Sequence, residues 1–324
     1  MRRIPKLLIF FMLAMVLVLS ACSKPPVEED IDDVQDNVQV EEAPVDAEKS
    51  GLDGITEETM PMLDGSTANL PLMAHLYAKV TGITYEEAQT MVRASKTNEA
   101  WRLLVEGGPG TLLLVYEPSS ELKSEFGKGI DKLEVTPIGY DALVFLTGKD
   151  NPVDSLTSQQ IQSIYSGEIS NWSAVGGEDL EIAALQRNEG SGSQTLMQTL
   201  LMKDLEMAEP PMEYVIGSME GLIGSLAGFG NFESRQVIGY SVYYYAKEMK
   251  ADPNLKMLAV DGVAPSTETI ADGSYTLRNE FYVVIRADEP EGSTARIIRD
   301  WLLTSEGTQL VDDAGYVGVT NPKK

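Results

Sequence analysis

An apolar run opens the chain at residues 7–19, a polar stretch follows to about residue 50, and only then does the pattern alternate as a folded body does. Continuous apolar runs at 110–116, 142–146, 182–185, 237–238 and 281–285 predict buried strands, since a half-exposed strand would alternate with polar positions. Between them, apolar residues recur at helical spacing. Over 68–80, Leu72, Met73, Leu76, Tyr77 and Val80 fall on one face. Over 157–165, Thr157 and Gln160 have the spacing of a capping box, and Gly167 suits the stop. Over 294–303, Ile297, Ile298, Trp301 and Leu302 form a buried stripe, and 195–202 is also helical in pattern. Strands alternating with helices predict an α/β architecture with largely parallel sheets. Ligands in such sheets sit at the carboxyl ends of the strands, where the topology switches. No fixed-period repeat is present, which excludes solenoids and propellers.

The apolar run at 7–19 follows Arg2, Arg3 and Lys6 and is short for a membrane span. It leads into Leu19-Ser20-Ala21-Cys22, which resembles the lipobox of a bacterial lipoprotein signal. That resemblance implies cleavage before Cys22 and acylation of its thiol, with several acyl chains giving the stable anchoring that a single chain does not. Residues 1–21 are thus expected to be a signal peptide, and 22–54 a lipidated cysteine with an acidic tether. Residues 23–50 hold ten acidic side chains against Lys24 and Lys49, with Pro25, Pro26 and Pro44. Such a segment repels itself and stays extended.

Composition narrows the chemistry. The 324 residues carry 25 basic and 50 acidic side chains, a net charge of −25, which argues against nucleic acid as a partner. One cysteine forbids an internal disulfide, and one histidine, His75, rules out a His-rich metal site. A Ser-His-Asp catalyst would have to use His75, which falls within the predicted helix over 68–80. No cofactor is implied.

Three loops follow predicted strands or precede helices. In Arg187-Asn188-Glu189-Gly190-Ser191-Gly192-Ser193, the glycines permit close backbone approach to a ligand and the serines offer hydroxyls. Arg187 supplies a planar, permanently charged fork suited to an oxyanion. Asp64-Gly65-Ser66-Thr67 precedes the helix over 68–80, where Ser66 and Thr67 can cap it or, with neighbouring amides, cradle an anion. The third loop, Tyr116-Glu117-Pro118-Ser119, puts an acidic residue at a strand's end.

These motifs, together with 151–156, Ile164-Tyr165-Ser166-Gly167, Asn171-Trp172, Ile238-Gly239-Tyr240-Ser241, Thr304-Ser305-Glu306-Gly307 and Gly315-Tyr316, resemble the phosphate ABC transporter substrate-binding lipoproteins, the PstS family. The likeness runs in order from about residue 62 to 319. It implies a two-lobed type II periplasmic-binding-protein fold with a central ligand cleft and crossing strands near 142–147 and 270–282. Lobe one would then be 55–147 plus 270–324, and lobe two 148–269. It further implies a monomer that binds inorganic phosphate outside the cytoplasm, anchored by lipid to the cell membrane, and delivers it to ABC permease subunits without catalysis. Carried over, Ser66 and Thr67 bind oxygens from lobe one and Arg187, Ser191, Gly192 and Ser193 from lobe two. Glu189 stands where the family has a carboxylate that holds the arginine, and Ser95 is a further hydroxyl.

Two departures from the family pattern stand out. Ser193 replaces the usual threonine, and no Ser-Asp pair is found to accept the ligand's proton, which leaves Glu117 as the nearest candidate. Alternatives on the same fold are another tetrahedral oxyanion, sulfate or molybdate, or a sensory or adhesive lipoprotein. The net charge does not oppose anion binding, because surface fields are screened beyond about 8 Å at physiological salt.

Overall fold

The computed structural model describes residues 51–107, 110–229 and 235–319. The expected signal peptide, Cys22 and nearly all of the tether lie outside these residues.

Twelve strands are present among the described residues: β1 Met62–Gly65, β2 Thr111–Val115, β3 Leu133–Gly148, β4 Ser155–Leu156, β5 Glu181–Ala184, β6 Gln186–Arg187, β7 Val215–Ile216, β8 Arg235–Val242, β9 Leu255–Met257, β10 Ala259–Val260, β11 Arg278–Arg286 and β12 Val317–Gly318. The main sheet runs in the order β1-β2-β11-β3-β8-β5, with β12 and β9 also pairing with β3. Its centre is β3, sixteen residues long. The first part of β3 pairs antiparallel with β11, and the second part, from Leu143, pairs antiparallel with β8 and β9. One strand therefore belongs to both halves of the sheet. In the first half β1 runs parallel to β2, and in the second β5 runs parallel to β8. The sheet is thus mixed, which corrects the expectation of largely parallel sheets. The long crossing strand runs against its neighbours on either side.

Local chemistry explains the geometry of β3. Pro137 has no amide hydrogen to give the ladder, and the β3–β11 register shifts beside it, with Tyr282 opposite Pro137 and Phe281 opposite Gly139. A side chain at Gly139 would collide with the Phe281 ring, at 2.3 Å from Cζ to the added carbon. The chain returns from the second half through a short helix, Thr267–Ala271, and then β11. There Tyr275 donates its hydroxyl to the Leu143 carbonyl and Leu143 N–H donates to Leu277 O, both beside the crossing in β3. The return over 270–277 is therefore a helix end and a turn, with strand geometry starting only at Arg278.

The helices are α1 Leu70–Thr81, α2 Tyr85–Met91, α3 Thr97–Glu106, α4 Ser120–Phe126, α5 Ser158–Tyr165, α6 Gly192–Leu196, α7 Met219–Phe229, α8 Thr267–Ala271, α9 Thr294–Leu302 and α10 Ser305–Asp313. The stripe of α1 is buried as the spacing predicts, through Leu72, Met73, Leu76, Tyr77 and Val80. Thr157 and Gln160 form the expected reciprocal capping box at the head of α5. In α9, Ile298, Trp301 and Leu302 are buried while Ile297 is only partly so. The stretch predicted helical over 195–202 begins earlier, at Gly192, with Ser191 as its N-cap accepting from Gln194 N–H, and it widens into a π-turn over Met197–Met202.

Candidate functional site

A cleft of about 210 Å³ opens where four strands end. The residue or turn after β1 supplies Ser66, Thr67 and Ala68, and that after β2 supplies Tyr116. β6 ends in Arg187 and leads to Ser191, Gly192 and Ser193, and β8 ends in Val242, with Tyr245 just beyond. Lys96 and Thr97 at the head of α3 and Ser218, Met219 and Glu220 at the head of α7 complete the lining. The cleft lies at the carboxyl ends of strands, as expected for this architecture. Its volume is below the roughly 300–1,000 Å³ of pockets that take cofactors or drug-sized molecules, so it suits a small ligand.

Ser66 is placed by Gly65. An added carbon at Gly65 would lie 1.8 Å from the Leu114 carbonyl oxygen, so only glycine lets β1 end this close to β2. Ser66 N–H then donates to Leu114 O at 3.1 Å. Its hydroxyl is 2.9 Å from Thr97 Oγ1 and accepts from Tyr116 N–H at 3.1 Å. Three of the cleft's segments thus meet at one serine.

Arg187 is 5% exposed. Its Nε donates to Ile216 O at 2.9 Å and one terminal nitrogen donates to Ser193 Oγ at 3.3 Å. Its backbone N–H donates to the Tyr240 hydroxyl, which in turn donates to Gln194 Oε1. Among the described residues no carboxylate forms an ion pair with this guanidinium, and burial lowers its pKa from the ordinary value. Two of its five donors are occupied by neutral oxygens, and the rest of the fork faces a cleft lined by the hydroxyls of Ser66, Thr67, Thr97, Ser191 and Ser193.

Of the residues proposed from sequence, Ser66, Thr67, Arg187, Ser191, Gly192 and Ser193 are brought together here. Three others are not. Glu117 is absent from the cleft lining, although its neighbour Tyr116 is part of it. It pairs with Lys123 and lines a separate cavity with Pro118, Trp101 and Tyr282. Glu189 is exposed and its carboxylate accepts from Gln198 Nε2 at 3.4 Å; among the described residues it forms no ion pair with Arg187, which the Ile216 carbonyl and Ser193 hold instead. Ser95 turns away from the cleft: its amide and hydroxyl both donate to the buried Asp64, each at 2.7 Å, while Asp64 also accepts from Gly65 N–H and pairs with Arg93.

Sequence reasoning missed Thr97, two positions from the serine it chose, along with Lys96, Tyr116 and the start of α7. Lys96 has φ 73°, a conformation that side chains other than glycine rarely adopt, and such strain gathers at functional sites. It also missed Asp141, buried in β3 at the crossing. Asp141 accepts from the Tyr116 hydroxyl at 2.6 Å and from Ala142 and Tyr244 N–H, and burial still pushes its carboxyl up to about 6. His75 is elsewhere, packed 4.3 Å from the Tyr85 ring and absent from the cleft lining.

Comparison with known proteins agrees with this architecture. Residues 58–304 match the PBP superfamily domain. The phosphate-binding protein PstS of Borreliella burgdorferi is 25% identical over 273 residues, covering 81% of this chain and 91% of that protein. A Clostridium perfringens protein crystallised with bound phosphate superposes with a TM-score of 0.61 at 24% identity, over 80% of this chain and 99% of its own. The ABC-type phosphate transport receptor from Vibrio cholerae superposes at 0.59 with 23% identity, over 79% and 99%. The shared fold is the type II periplasmic-binding-protein fold.

Proposed function

The chain belongs to the PBP superfamily, and we propose that it captures inorganic phosphate outside the cytoplasm and delivers it to an ABC permease, tethered to the membrane by lipid on Cys22. The observation that carries this reading is Arg187, a buried cation whose hydrogen-bond partners among the described residues are neutral, in a cleft lined by hydroxyls. A buried guanidinium without a counter-ion costs several kcal/mol, and a tetrahedral anion in the cleft supplies both the missing charge and acceptors for the hydroxyls. Arg187, Ser66, Thr67, Thr97, Ser191, Ser193 and the Gly192 amide would hold it. The names of the relatives support phosphate as the ligand.

In this reading residues 55–147 and 270–324 form one lobe and 148–269 the other, with β3 and the segment before β11 as the two crossings. Catalysis is not part of it: Ser66 and Ser191 have no imidazole within the cleft lining to serve as base.

One observation favours a second reading, in which the cleft takes fully ionised tetrahedral anions as well. With Glu117 outside, the carboxylate among the lining residues is Glu220, exposed and held by Lys250 at 2.9 Å. Titration calorimetry against phosphate, arsenate, sulfate and molybdate tests both readings. Heats for phosphate and arsenate alone support the first, and comparable sulfate or molybdate heats the second.

A further inference from the structure

The glycines of the Arg187 loop face something more than a ligand. A carbon added to Gly192 would lie 2.7 Å from Thr97 Oγ1 and 3.3 Å from Tyr116 Cδ2. One added to Gly190 would lie 2.9 Å from Asn98 Nδ2. Gly190 and Gly192 follow β6, on the far side of the cleft from Thr97, Asn98 and Tyr116, which belong with β1 and β2. The loop therefore seats directly on the opposite wall.

That wall cannot yield easily. Thr97 Oγ1 is held by Ser66 Oγ at 2.9 Å. Asn98 is fixed at both ends by Ser119, donating to its hydroxyl at 2.8 Å and accepting from its amide at 3.0 Å. The Tyr116 ring is held by its hydroxyl on Asp141. A methyl group at 192 would meet short, hydrogen-bonded atoms rather than the far end of a flexible side chain.

We propose that Gly192 is the steric determinant of cleft closure: the absence of its side chain lets the Arg187 loop seat on Thr97 and Tyr116, and any Cβ there props the cleft open. Gly190 acts alongside it against Asn98, but its φ of +76° would strain any substitution and obscure the test. Gly192 has a helical backbone at the start of α6. Alanine there keeps the amide that faces the cleft and normally stabilises a protein, so simple helix chemistry and closure predict opposite outcomes.

For its ligand the proposal rests on the phosphate reading. The experiment therefore pairs phosphate titration with hydrogen exchange of the ligand-free full chain in detergent, read on peptides spanning 94–101. Gly192→Ala should weaken phosphate binding by about tenfold to a hundredfold, the usual effect of overpacking a tight contact, and should speed exchange over 94–101. Adding Thr97→Ala removes Oγ1 and leaves Thr97 Cβ at an ordinary 3.8 Å, so the double variant should recover most of both losses relative to Thr97→Ala alone. Adding Thr97→Val, which keeps a methyl where Oγ1 stood, should recover neither. If Gly192→Ala alone does not accumulate, the two double variants decide. Wild-type affinity and exchange in Gly192→Ala, or equal behaviour of the Ala and Val doubles, would overturn the proposal. If the wild type ignores phosphate, the ligand reading fails and the exchange comparison alone decides closure.

Discussion

Removing water from a guanidinium without giving it a carboxylate leaves a site that favours an anion, and among the described residues Arg187 has no carboxylate partner. The buried Asp141 presents the converse problem, a carboxylate whose charged form burial disfavours. Its pKa rises from 3.8 to about 6 on folding, so between those values the native state binds more protons than the unfolded chain. This group's contribution to stability accordingly falls as pH rises through that window. The penalty is absent below pH 3.8 and complete above pH 6, roughly 3 kcal/mol at most. Asp141→Asn keeps an oxygen for the Ala142 and Tyr244 amides and lets the Tyr116 hydroxyl turn round to accept. Thermal melts should show Asp141→Asn several degrees above the wild type at pH 7.5 and level with it near pH 4. A variant less stable than wild type at every pH would show that the charge is needed there.

Among the elements, the end of β1 has the tightest tolerance. Gly65→Ala forces β1 away from Leu114 and shifts Ser66, so denaturant unfolding should show a loss of about 3 kcal/mol or more. The same element shows what sequence could reveal. Ser66-Thr67 and Arg187 with Ser191-Gly192-Ser193 were legible because their types, a hydroxyl pair before a helix and an arginine ahead of a Gly/Ser turn, state their chemistry locally. The buried runs were legible for the same reason, apart from the full length of β3, whose polar Thr136, Tyr140 and Asp141 break the apolar pattern. Glu117 stands one residue past Tyr116, and only the packing of the chain decides that Tyr116 lines the cleft while Glu117 pairs with Lys123. Thr97 and the start of α7 reach the cleft only through tertiary packing, and nothing in their local sequence marks them. Ser95 offers a hydroxyl by residue type, but the buried Asp64 accepts it.

For the whole molecule, a charge of −25 and an anion in one cleft are compatible because the site's hydrogen bonds act at contact while the diffuse field is screened. Anchoring is independent of the cleft in this account. Cys22→Ser should release the protein from the membrane fraction with its melting temperature unchanged, and recovery of that variant in the membrane pellet would show that another anchor exists. Ligand at about a thousand times its dissociation constant should add roughly 4 kcal/mol of stability. Whether Arg187 holds phosphate in the cleft is tested by calorimetric titration of inorganic phosphate into the wild type and into Arg187→Ala. Saturable binding of one phosphate per chain is expected in the wild type, and no measurable heat of binding in the variant. Equal phosphate affinity in the two proteins, or none in the wild type, would contradict it.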